Sequence, residues 1–444
     1  MPVDLVLKNA KMLLHGKIVE AGLAVNDSKI VKIAEEPNLP HASKTIDVGG
    51  LLVLPGVIDI HVHLRDQELS YKEDFFTGTA AAANGGVTLV ADMPNNKPVT
   101  MNTQTLRERM NVAAEKTVVN VALYSAFPAK KEEIRSIIQT GAKAFKLFMS
   151  QKVGGVNPDD DEAVTEVFKE ASRLTVPIAV HAEDRKLVSS MTEKLRKEGN
   201  NDLKDFAKAH SPDAELKAIK RVIGIVRKTK AKIHFCHVST AKGIKAILSA
   251  KQSGLQVTCE VTPHHLLLTS SSLKALKGIA LTNPPLRGKK DVQGLWSAVE
   301  NGAVDVLASD HAPHTFEEKS AASVWDIAPG IIGLETFLPL MLTQVAKGRL
   351  TLSRLVQMTS KRPAETLGVT NRGQLKEGCF ADLTVVDLKR RWKIDASKFY
   401  SKAKFSPFDG WKVTGKPVKT FVNGRLVMDK GEILAKPGDG RIIR

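Results

Sequence analysis

Eight short apolar runs recur through the middle of the chain, between amphipathic stretches. They are VIDIHVHL (57–64), TLVADMP (88–94), VNVALYSAF (119–127), AFKLFM (144–149), PIAVHAE (177–183), KIHFCHVS (232–239), VTCEVTP (257–263) and DVLASDH (305–311). Their length and bulk predict strands. They do not alternate apolar and polar residues, as expected where both faces of a sheet are covered. Most are separated by helix-like stretches such as DEAVTEVFKEASRL (161–174) and AKGIKAILSAKQSG (241–254), whose last glycine suits a helix C-cap. Strand and helix alternating over about 250 residues predict an α/β protein built on a (β/α)8 TIM-like barrel.

The flanks have another texture. Residues 1–55 carry short runs with turns (DLVLKNAKMLL, KIVEAGLAV, SKIVKIAEE), and ADLTVVDL and KPVKTFVNGRLVMDKGEI repeat it near the other end. Asn423-Gly424 is a hairpin signal. These ends predict one small β-sandwich domain made from 1–55 and 371–444, with the barrel, 56–370, inserted between its halves.

Composition narrows the class. At 444 residues the chain can bury a large core without staples. Its longest apolar runs fall far short of the roughly 20 residues that cross a bilayer. The N-terminus has Asp4 and no basic region before an apolar stretch, so no signal peptide is expected. Three cysteines (Cys236, Cys259, Cys379) exclude a disulfide scaffold and suit a cytoplasmic protein. The net charge of +17 concentrates in 185–232 and 376–444. With no nucleic-acid motif and few aromatics, it reads as solvated helix faces that attract anionic substrates. Neither a membrane nor nucleic acid is an expected partner.

The chemistry lies at the strand ends. His61 and His63 are two apart, so on a strand they share a face and can ligate one metal ion. Lone His-X-His pairs also occur on surfaces. The other strands decide the matter: His181 ends the fifth, His237 the sixth and Asp310 the eighth, with Lys146 in the fourth. Burying so many polar groups at one end without a shared purpose would be costly. A metal centre explains them together. Lys146 fits if it is neutral and carboxylated by carbon dioxide, because a carbamate can bridge two divalent ions; a lysine snorkelling out of the strand is the ordinary alternative. Cys236 and Glu260 come close to the same place, whereas His264 and His265 read as structural.

DIHVHLRD (59–66) and ASDHAPHTFEEK (308–319) resemble the two signature motifs of dihydroorotases in the amidohydrolase superfamily. NPPLR (283–287), PGIIGLET (329–336), SKRPAETLG (360–368) and SPFDGW (406–411) extend the resemblance over essentially the whole chain. Allantoinases share much of both signatures, but typically carry Asn where this chain has Arg65 and read DMPLN where it reads DMPNN. The resemblance implies that Arg65, Asn95 and His314 grip a substrate carboxylate. It further implies that Asn283 and the backbone at Pro329 and Gly330 bind ring amide groups; position 329 departs from the pattern, an aromatic residue being common there. Some class I bacterial dihydroorotases place an Asp in the bridging role, in a different local sequence, whereas AFKLFM resembles the lysine-bridged sites of allantoinases, dihydropyrimidinases and other, class I-like dihydroorotases. The bridge therefore falls to Lys146 and not to Asp159, Asp160 or Asp161, which read as helix N-terminal charge. The loop SQKVGGVNP (150–158) is expected to move over the mouth.

The activity implied is the reversible cyclisation of N-carbamoyl-L-aspartate to L-dihydroorotate and water, a step of pyrimidine (UMP) synthesis. It would use two Zn2+ ions bridged by N6-carboxylated Lys146 and a hydroxide, with Asp310 as ligand and proton shuttle. The rival readings are another cyclic-amide hydrolase (allantoinase or dihydropyrimidinase) and, more remotely, a non-catalytic homologue acting as a binding scaffold. Partners expected from the resemblance are a second copy of the chain or aspartate transcarbamoylase.

Overall fold

The computed structural model describes residues 2–444. Two sheets organise them. The first runs from both chain ends: β1 (Val3–Leu14), β2 (Lys17–Asn26), β3 (Lys29–Ala34), β4 (Ala42–Asp47) and β5 (Leu52–Pro55), joined later by strands from the other terminus. The second is the barrel: β6 (Val57–Val62), β7 (Val87–Asp92), β8 (Asn120–Ala126), β9 (Ala144–Phe148), β10 (Ile178–His181), β11 (Ile233–Phe235), β12 (Val257–Val261) and β13 (Val306–Leu307). The chain then returns through β14 (Leu383–Lys393), β15 (Lys412–Val422), β16 (Arg425–Asp429) and β17 (Glu432–Ile433), and ends on β18 (Ile442–Ile443).

Strands β6 to β13 lie in sequence order, each parallel to the next. A parallel bridge between Val62 and His311, with the His63 N–H donating to His311 O at 2.8 Å, brings the last strand end back to the first. The (β/α)8 expectation is borne out. Residues such as Ile58, Leu89, Ala91, Ala122, Ala179, Val306 and Ala308 form one apolar cluster, while Leu106, Val121, Phe145, Phe168, Ile219 and Phe337 belong to the larger one. Both faces of each strand are therefore covered, which explains the unbroken apolar runs.

In the other sheet β14 pairs antiparallel with β5, so the two termini are hydrogen-bonded neighbours. Its own core includes Leu7, Met12, Leu23, Ile30, Val53, Val385 and Phe421. The turn between β15 and β16 holds Asn423 and Gly424 at φ +51° and +79°, the pairing a tight twisted hairpin requires. Among the described residues no helix is long and apolar enough to cross a membrane.

Candidate active site

His61, His63, His181, His237 and Asp310 stand at or just past the carboxyl ends of barrel strands, where loops of this architecture build their sites, and Lys146 lies midway along β9. The peptide geometry there is unusual. His237 and Asp310, just past β11 and β13, have φ +33° and +49°. Left-handed backbone is costly for such residues and gathers where function demands it.

The imidazoles are oriented by their outer nitrogens. His61 gives its Nδ1–H to Glu260, leaving Nε2 directed at Asp310, 3.3 Å away. His63 donates Nδ1–H to Asn95 Oδ1 at 2.7 Å, and its Nε2 lies 3.4 Å from the same Asp310 oxygen. His181 donates Nε2–H to Glu183 at 2.8 Å and turns Nδ1 to within 3.0 Å of His237 Nε2. One of these two nitrogens carries a proton in the ion-free protein, and both are placed where a single ion could take them once it leaves. Glu183 is held in turn by His210 at 3.1 Å. This is how partners behind a metal site fix which nitrogen is free.

Lys146 is fully buried, with Nζ 2.9 Å from Cys236 Sγ. Among the described residues no carboxylate forms an ion pair with it. A buried lysine with no carboxylate partner, on the strand beside the one that carries His181, fits conversion to a carbamate. His61, His63 and Asp310 can hold one ion, and His181 with His237 a second. His61, Cys236 and Glu260 also cluster closely enough to share an ion.

Charge states suit ligation. Burial opposes ionisation of Asp310, but His61 and His63 outweigh it and hold the carboxyl well below its usual range. Burial drives His63 down to about 3 and His237 further below its ordinary value. Both imidazoles are therefore neutral. Burial and Lys146 push His61 down, yet Glu260 and Asp310 prevail and raise it to about 10. A proton must leave His61 when an ion arrives.

A cavity of about 100 Å3 opens above these groups, lined by His61, His63, His181, His237 and Asp310 together with Arg65, Asn95, Asn283, Pro329 and Gly330. A larger groove near Leu273 and Val324 carries none of the ligand candidates. Arg65 is 8% exposed and begins a turn in which Arg65, Asp66 and Gln67 all have φ between +51° and +55°. Its guanidinium donates to Pro313 O and to His314 Nε2, each at 3.2 Å, and to no carboxylate among the described residues. His314 stands behind Arg65 rather than on the cavity wall, its Nδ1–H directed at Glu318. Burial, then Arg65 and Lys72, push it far below its ordinary value, so it is neutral. Asn283 Oδ1 is buried without a partner. Gly330 spends its N–H on Leu281 O and its carbonyl on Lys319, and the Pro329 carbonyl lies against the His314 imidazole with a second lone pair to offer.

Other sequence readings find their place here. Asp160 caps the helix Asp161–Arg173 by accepting from the N–H groups of Glu162 and Ala163. Gly155 anchors the 150–158 loop through an N–H bond to Phe127 O at 2.8 Å, while Gln151 reaches the cavity. His265 bonds Thr262 and Pro284 O, but His264 Nε2 is buried without a partner. Glu183, His210, Arg109 and Lys319 were not singled out from sequence; an acid two residues beyond His181 was the one legible signal among them.

Dry nitrogen and oxygen donors at the mouth of a parallel barrel define a barrel hydrolase. A sequence profile of the amidohydrolase family matches residues 52–427, and the chain belongs to that family. It is 38% identical to a dihydroorotase of Methanothermobacter thermautotrophicus, over 99% of this chain and 97% of that one. It is 35% identical to an L-hydantoinase of Paenarthrobacter aurescens, over 99% and 98%. The solved L-hydantoinase (dihydropyrimidinase) of Arthrobacter aurescens superposes with a TM-score of 0.96 at 35% identity, covering 99% of each chain. The chain is thus a hydrolase of cyclic amides, as the motifs implied.

Proposed function

We propose that this enzyme is a dihydroorotase that interconverts N-carbamoyl-L-aspartate and L-dihydroorotate in pyrimidine synthesis. One observation carries the choice over a hydantoinase: a buried guanidinium, Arg65, faces the cavity without a carboxylate partner. A guanidinium in that setting calls for an anion. Dihydroorotate brings a carboxylate on its ring; dihydrouracil does not.

Arg65 takes the carboxylate, with Asn95 offering its amide N–H groups while its oxygen stays on His63. His314 stands behind Arg65 and accepts from its guanidinium, which helps to aim it. Asn283 and the Pro329 carbonyl take the ring amide edge. His61, His63, His181, His237, Asp310 and carboxylated Lys146 would hold two zinc ions, which when bound polarise the scissile carbonyl and lower the pKa of the attacking water. Asp310, ionised and beside that water, accepts its proton and passes it to the ring nitrogen as the C–N bond breaks. In the synthetic direction Asp310 takes the proton from the ureido nitrogen, and water is released.

The likeness to hydantoinases supports a second reading, in which the ring lacks a carboxylate. Turnover of L-dihydroorotate, dihydrouracil, allantoin and a 5-substituted hydantoin by the zinc-loaded enzyme separates the two. A kcat/KM for dihydroorotate at least tenfold above the others is expected. Preference for an uncharged ring would discard the dihydroorotase reading.

A further inference from the structure

Lys319 closes the second signature motif, is 2% exposed, and pairs with no carboxylate among the described residues. Its Nζ donates instead to three carbonyls: Leu281 O at 2.8 Å, Ala328 O at 2.9 Å and Gly330 O at 2.7 Å. An ammonium has three N–H bonds, and all three are used. The acceptors belong to two segments far apart in sequence. Leu281 lies two residues before Asn283, and Ala328 and Gly330 flank Pro329.

Those segments form one wall of the cavity. They touch directly only through the Gly330 N–H to Leu281 O bond at 2.9 Å among their backbone groups. A third segment approaches closely from behind, because a Cβ on Gly278 would collide with the Lys319 carbonyl. Asn283 Oδ1 has no protein hydrogen-bond partner to hold it in place, and the Pro329 carbonyl meets only the His314 imidazole. Their separation is set by the backbones that carry them, and Lys319 ties those backbones together.

We propose that Lys319 is a positioning residue that sets the spacing of the Thr282–Asn283 and Pro329–Gly330 segments, and through them recognition of the –CO–NH–CO–NH– edge of the substrate ring. This rests on the proposed cyclic-ureide chemistry, but not on the ring carboxylate, since dihydroorotate and hydantoins share that edge. The edge is held in the ground and transition states alike, so its loss raises KM more than it lowers kcat.

The test uses the zinc-loaded full chain. Wild type is first assayed on L-dihydroorotate and on a 5-substituted hydantoin; its preference decides the dihydroorotase reading alone, and the ring it turns over is carried forward. Lys319→Met should raise KM for that ring by roughly tenfold to a hundredfold, with kcat and zinc content within about threefold of wild type. Lys319→Ala should lose as much. Ethylammonium, which can enter from the groove that Lys319 also lines, should bring its KM back towards wild type. Tetramethylammonium, which has no N–H, should not. An unchanged KM, or losses confined to kcat and zinc content, overturns the proposal. So does failure of both variants to fold and load zinc, which would make Lys319 a support of the fold. Wild type inert towards every cyclic ureide overturns it together with the functional reading.

Discussion

Arg109 Nη1 donates to the Arg65 carbonyl oxygen across 2.5 Å and ties the residue facing the substrate to a buried ion pair. The same guanidinium holds Asp92 through Nε at 3.0 Å and Nη2 at 2.7 Å, and lies over the Phe75 ring at 4.2 Å. Asp92 accepts the Leu64 N–H at 2.8 Å, so the pair grips the backbone on both sides of Arg65. Arg65 is the first of three consecutive left-handed residues, each costing about 1–2 kcal/mol. Such a turn persists only when its surroundings over-determine it.

Arg109→Lys should therefore act through Arg65. A lysine keeps the charge but cannot make the forked contact with Asp92 and reach Arg65 O together. We expect kcat/KM for dihydroorotate to fall roughly tenfold or more, as it would when a buried charged contact is displaced. Slow turnover of dihydrouracil should fall less. Arg65→Met should show the same asymmetry more strongly, with zinc content unchanged. Parallel losses on both rings would assign the pair to the fold rather than to carboxylate recognition.

Lys146→Ala tests the bridge. If its carbamate supplies the two bridging oxygens, the variant should lose most zinc and nearly all turnover. Elemental analysis and a cyclisation assay read both, and added short-chain carboxylates should restore part. Full zinc content with near-normal turnover would remove Lys146 from the centre.

The barrel was legible because both of its strand faces are covered, which leaves an apolar run wherever a strand occurs, and because chemistry interrupts those runs at one end. His181, His237 and Asp310 stand out for that reason. Arg109 does not: it sits in the helix Thr103–Lys116 among residues such as Arg107 and Glu108, and resembles a solvated face. Its burial follows from tertiary packing, against Phe75 and Asp92. Lys319 is hidden similarly, ending the four-residue helix Phe316–Lys319 directly after Glu317 and Glu318. Nor can sequence show which nitrogen each histidine presents, since Glu260, Asn95 and Glu183 decide that across strands and loops.

Glu183→Gln probes that choice for His181. Burial opposes its charge, but His210 and His181 outweigh it and keep the carboxyl below its usual range. The neutral amide loses the charge that holds the His181 Nε2–H, so Nδ1 is no longer fixed towards His237. Zinc affinity, read by competition with a chelator, should fall by about 10–100-fold. Excess zinc should recover much of the activity. Unaltered affinity would mean that strand geometry alone orients His181.

Asp310→Asn separates proton transfer from binding. The aspartate is ionised because His61 and His63 overcome its burial, and a base must be ionised to accept the first proton. Asparagine has nearly the same shape but cannot shuttle a proton, and its oxygen is a weaker ligand. Turnover should drop by at least about a hundredfold, at the lower end for general acid–base catalysis, while KM changes much less. Because Asp310 is also a ligand, zinc content must be measured on the same sample: loss of turnover with zinc retained assigns the shuttle to Asp310, whereas parallel loss assigns it only to the metal site. Retained turnover would move the proton to another group. His264 is then the residue to replace, since burial lowers its pKa to about 4 against the pull of Asp310 and its Nε2 has no protein partner. A double variant, Asp310→Asn with His264→Asn, would show by its further loss, or lack of one, whether that imidazole carries the proton.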